Sequence, residues 1–144
     1  MKHSIKVLLS LLLIIIGIES VSSQNQKLDS LDRLIRKETN DKSRIRLLLE
    51  KADLLAIINL DSAIILNLKI LEDSKKANYN PGQREARLKL VYTYSYNGNS
   101  RAAFEQLRGL HHLVEQMKDS VSFANYYATA GLYYGMQSKY DSSI

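Results

Sequence analysis

Cysteine and tryptophan are absent, proline occurs once and glycine six times. Without Cys there is no disulfide framework, thiolate zinc site, iron–sulfur cluster, cysteine nucleophile or lipidated N-terminal Cys. One Pro and few Gly disfavour a turn-rich all-β chain and favour helices with short connections. The phosphate-loop pattern GxxxxGK[ST], the dinucleotide pattern GxGxxG and the nucleophile elbow GxSxG are also missing. Acidic residues are scattered. Glu50 and Asp53 share a helical face but stand amid Lys51 and Arg46, so they do not form a paired-carboxylate site. What is present is a 144-residue chain, 45% hydrophobic and 24% charged, with a net charge of +5. That balance is globular, and the length allows one domain at most.

The N-terminus reads as an address. Lys2, His3 and Lys6 precede Val7 to Ile18, an almost wholly apolar run. A membrane-spanning helix needs ~20 apolar residues, so this run fits the core of a secretory signal peptide instead. Val21 and Ser23 suit the −3 and −1 positions of cleavage. The expected cut follows Ser23, with Ser20 or Ser22 as alternatives, and an uncleaved N-terminal anchor is the rival reading. Residues 1–23 carry Lys2, Lys6 and Glu19, so cleavage would leave 121 residues with 18 basic and 14 acidic side chains, a charge of +4. These charges are mixed along the chain (Arg33, Arg36, Lys37, Glu38, Asp41, Lys42) rather than gathered in one stripe. That reads as solvated helix faces and not as a nucleic-acid footprint.

The remainder repeats at a spacing of forty. Asn59-Leu60-Asp61-Ser62-Ala63-Ile64, Asn99-Ser100-Arg101-Ala102-Ala103-Phe104 and Lys139-Tyr140-Asp141-Ser142-Ser143-Ile144 align without gaps. Leu54, Tyr94 and Tyr134 share another phase. The expected helices are a short one over 27–37, then 42–58, 60–77, 81–97, 100–118 and 121–137. Asn80 would cap the fourth of these, with Pro81 at its first position and Gln83 reaching back. Gly98 would end it. Ala63, Leu66, Ile70 and Leu71 should form one buried face. Val91 to Tyr96 alternates with period two and would read as a strand in isolation. Its position between a helix start and a helix stop makes it helix.

These residues resemble the tetratricopeptide repeat (TPR) family, whose units alternate helices A and B. The third copy has Tyr127, Ala130-Gly131 and Tyr134 at the helix A signature positions. The second has Leu90-Val91, Tyr94, Gly98, Ala103, Leu107 and Leu110, and the first has Leu54, Ala63 and Ile70. Arg87 stands where an aromatic belongs, Val91 where a Gly belongs, and no copy carries the closing Pro. The resemblance implies an all-α, right-handed α-solenoid of antiparallel helix pairs, period about forty, over 41–144. Its units would be 41–80, 81–120 and an incomplete 121–144, preceded by a half-repeat at 24–40 and the signal peptide at 1–23. On this reading Gly131 and Ala103 are small because helices A and B cross closely there, and Tyr94 and Tyr134 fill the space between repeats.

His111, His112 and Glu115 are the most metal-like cluster, but they supply too few ligands for a catalytic zinc site and lack the HExxH order. One His should pack and one should be exposed. No cofactor is expected and no catalysis. Eight of the nine tyrosines lie in or beside A helices, and Tyr is large, stiff and amphipathic, which suits a binding surface. Carrying the family's groove positions over gives Glu85, Tyr92, Tyr96, Asn125, Leu132 and Met136. Tyr92 and Tyr96 would be anchors, and Glu85 and Asn125 polar selectors. The resulting expectation is an exported, periplasmic or secreted module that binds a protein or peptide or self-associates, without chemistry of its own. The alternative is the N-terminal periplasmic sensor region of a truncated signalling protein, a histidine kinase or transcriptional regulator. Membrane contact would come only through the signal peptide or a missing downstream segment. The end at Ile144, at the start of an expected B helix, suggests an N-terminal piece of a longer protein.

Overall fold

A computed structural model describes residues 23–141. They form six helices and no strand: α1 (23–37), α2 (Asp41–Ile58), α3 (Leu60–Lys76), α4 (Asn80–Tyr96), α5 (Ser100–Met117) and α6 (Ser120–Asp141). The signal-peptide reading of residues 1–23 therefore falls almost wholly outside the described residues. Helix α1 belongs to one compact unit, and Glu38 onward forms another. Within the second unit each helix packs on its neighbours in sequence order. In addition α4 touches both α2 and α6. This is a solenoid-like arrangement.

Asparagine caps three of these helices. The side chains of Asn40, Asn59 and Asn99 accept from the amides of Ser43, Ser62 and Ala102. Each satisfies an amide that the first helical turn leaves without a partner. Asn59 is the whole connection between α2 and α3, a single extended residue that ends one helix and caps the next. Asp119 does the same work for α6, accepting from the Ser122 amide at 2.8 Å.

Left-handed residues stop two helices in the same way. Asn78 (φ 48°) and Gly98 (φ 73°) follow α3 and α4. In each case the next residue's amide reaches back five positions, Tyr79 to Ser74 and Asn99 to Tyr94. This is the C-terminal closure that a left-handed residue permits. Two expectations shift here. Helix α4 begins at Asn80 itself, with Tyr79 in the cap position and no side-chain cap bond, so Asn80 is inside the helix. Helix α6 does not stop near Gln137 but runs through Asp141.

The core is strung between helix pairs. Val91, Ala103 and Leu107 pack with Ala130 and Tyr133, and Tyr94 and Tyr126 lean on this cluster. Leu88, Leu110 and Val114 form a second cluster beside Phe123 and Tyr126. Ala63, Ile70 and Leu71 are buried as the periodicity of α3 predicts. Val91 to Tyr96 is helix. Tyr94 packs on the cluster shared by α4, α5 and α6, but Tyr134 does not fill such a space: it is exposed, and its neighbour Tyr133 is the buried ring. The Tyr133 hydroxyl donates to the Ser100 carbonyl at 3.3 Å, and burial pushes its phenol pKa up. Gly131 also departs from expectation. A Cβ added there would meet nothing within 4 Å, so its size reflects no close crossing among the described residues.

Candidate functional site

Two adjoining hollows meet between α2 and α4; the first extends to α6 and the second to the start of α3. The first holds about 350 Å³. Helix α2 supplies Ala52, Asp53 and Ala56; α4 supplies Glu85, Leu88, Lys89, Tyr92 and Thr93; α6 supplies Asn125, Ala128 and Thr129. The second is about 760 Å³ and more apolar, with Ile57, Ile58 and Leu60 facing Tyr92, Tyr96 and Asn97. Ala56, Tyr92 and Thr93 line both, so the two form one groove.

The polar end is ordered by ion pairs. Lys89 on α4 pairs with Asp53 on α2. Arg84 donates from Nε and Nη2 to Glu85 Oε1 at 3.1 and 2.8 Å, and from Nη1 to Ser122 Oγ at 2.8 Å. Ser122 Oγ in turn donates to Asp119 at 2.6 Å. Glu85 is thus held by a chain that ties α4 to the first turn of α6. The Thr93 and Thr129 hydroxyls donate to carbonyls of their own helices, at Lys89 and Asn125. Neither hydroxyl proton is left for a ligand.

The apolar end is open. Ile57 is 71% exposed and Tyr96 62%. Exposed large apolar groups that converge on a hollow are the usual mark of a binding surface. Its rim is closed by Asn97 Nδ2, which donates to Asp61 Oδ1 at 3.2 Å.

Of the six residues the sequence singled out, Glu85, Tyr92 and Asn125 meet in the first hollow, and Tyr92 and Tyr96 in the second. Leu132 and Met136 are half-buried on α6 and line neither. The contribution of α2 was missed. Ala52 and Ala56 lie forty residues before Tyr92 and Tyr96, so carrying the groove phase back one period finds them. Their small side chains carry no chemical signal of their own.

Elsewhere, His111 is half-buried with its ring 5.0 Å from that of Tyr126, and His112 is exposed. Among the described residues no three His, Asp or Glu side chains are placed to hold a metal ion. Arg87, where the family pattern has an aromatic, donates to Gln106 at 2.9 Å and lies over Gly109 on α5. Burial lowers its guanidinium pKa. No helix among the described residues is long and apolar enough to cross a membrane. No protein-family model, curated protein or solved structure matches the chain.

Proposed function

We propose that this chain is an exported, non-catalytic interaction module of the TPR-like kind, a right-handed solenoid with a period of about forty. It binds a peptide or protein segment in the groove between α2, α4 and α6. The observation that carries this reading is the continuity of the two hollows through Tyr92. One stretch of groove joins a fixed polar end, Glu85 with Asn125, to an exposed apolar end, Tyr96 with Ile57. A ligand segment would place apolar side chains against Ile57, Tyr92 and Tyr96. It would place a hydrogen-bonding group near Asn125 and Glu85. Tyr rings contribute area at little loss of rotamer freedom, which is why they anchor such surfaces.

Selection from a random peptide library on the immobilised chain supplies the probe. Selected peptides should bind the parent chain, and the double variant Tyr92→Ala, Tyr96→Ala should weaken them by at least about tenfold, roughly 1.4 kcal/mol. Both rings are exposed or partly so, and helicity should be unchanged. Equal binding by the double variant would remove the groove assignment.

A further inference from the structure

The groove carries charge mostly of one sign. Its lining holds the carboxylates of Asp53, Glu85 and Asp61 against the single ammonium of Lys89. The chain as a whole has the opposite balance, +5. The groove is therefore an acidic strip on a basic molecule.

Ion pairing does not hide these acids. The Glu85 side chain is 36% exposed and that of its partner Arg84 17%. Asp53 is likewise the more exposed member of its pair with Lys89. In both pairs the cation lies deeper and the carboxylate is left nearer the water. Both Arg84 bonds to Glu85 fall on Oε1, and Oε2 receives none from it. Asp61 accepts from the Asn97 amide, which is neutral and does not offset its charge.

Apolar groups separate the acidic ends. Along α4 the order is Glu85, Tyr92, Tyr96 and then Asn97, which bonds Asp61. Along α2 it is Asp53, then Ile57, then the turn to Asp61. Glu85 and Asn97 are about 18 Å apart at 1.5 Å per residue. An extended segment covers that span in about five or six residues at roughly 3.3 Å each. One short ligand can therefore touch both ends. Lys and Arg suit such a strip, because the stem lies on apolar surface while the head pairs with a carboxylate or sits over a tyrosine face.

We infer that the groove takes a basic, apolar segment. Lys or Arg toward one end of it meets Glu85 and Asp53, and Lys or Arg toward the other meets Asp61. Aliphatic side chains between them lie on Ile57, Tyr92 and Tyr96. This rests on the groove reading given above and adds the charge of the ligand.

The probes are peptides selected from a random library on the immobilised full chain. Lys and Arg should be enriched in the selected pool and Asp and Glu depleted. The overall charge of +5 works against that result, so enrichment marks a local site and not the field of the whole chain. The double variant Glu85→Gln, Asp61→Asn keeps the shape and the acceptor oxygens and removes two charges. It should weaken the selected peptides by about fivefold at low ionic strength, and the difference should shrink with added salt. A neutral or acidic pool that still depends on Tyr92 and Tyr96 would overturn this inference and leave the groove standing. A basic pool that depends on the two tyrosines but binds the charge variant as well as the parent would do the same. A pool that binds the Tyr92→Ala, Tyr96→Ala variant as well as the parent would remove the groove assignment and this inference with it.

Discussion

Lys89 on α4 pairs with Asp53 on α2 across the floor of the groove. It thereby links the first helices of two successive pairs. The Asp53 side chain is 60% exposed and that of Lys89 23%. Solvent screens such a pair, so a double-mutant cycle with Asp53→Asn and Lys89→Met should return less than about 1 kcal/mol of coupling. Chemical denaturation of the four proteins measures it. The larger effect should be on ligand choice, because Lys89→Met leaves Asp53 without its partner and should favour basic peptides in a repeated selection.

Gly82 and Gly109 are both tight, and at Gly82 the neighbours come from α2, α3 and the turn before α4. A Cβ there would lie 2.5 Å from Ser74 Oγ, 2.6 Å from Tyr79 Cδ1 and 3.0 Å from Ile45 Cγ2. Alanine is the better helix former by about 1 kcal/mol, yet the overpacking outweighs that gain. Gly82→Ala should destabilise the chain by about 1–3 kcal/mol in urea unfolding. A neutral or stabilising result would mean that α3 and α4 do not close as described.

Asn99 caps α5 through the Ala102 amide at 3.1 Å. Asn99→Ala should lower stability by about 1 kcal/mol, and Asn99→Ser should restore most of it. Thermal unfolding of the two variants separates a lost cap from a lost contact.

Asp119 gives a pH signature. The Ser122 hydroxyl, then its amide, hold this carboxyl below the usual carboxylate range. A lowered folded-state pKa contributes stability above the unfolded value of about 3.9, and that contribution is lost as pH falls through the folded value. Asp119→Ala should therefore melt below the parent chain at neutral pH, and the two should converge in strong acid. Parallel curves across the acid range would mean that the cap is not formed.

Much of the fold was legible because its punctuation is local. Asn59, Asn99 and Gly98 act on their own turns, so their roles need no tertiary knowledge. The strand-like run Val91 to Tyr96 was resolved in the same way, by the signals on either side of it. Asn80 misled because Pro81 is tolerated at either of the first two helical positions, and only the backbone decides which of Tyr79 and Asn80 is helical. Tyr133 and Tyr134 are identical side chains in adjacent positions, and packing on Ala103 and Leu107 selects the first. The groove's α4 side was legible from its tyrosines, whereas Ala52 and Ala56 line it by being small, which sequence chemistry does not announce. Gly131 read as a packing glycine, and its open surroundings emerged only from the placement of α6.

The central claim is that the groove through Tyr92 is a ligand site, and library-selected peptides test it most directly by titration against the parent chain and the Tyr92→Ala, Tyr96→Ala variant. The account predicts saturable one-site binding to the parent and a loss of at least about tenfold in the variant, with unchanged far-ultraviolet circular dichroism. Equal affinity for the two proteins would contradict it.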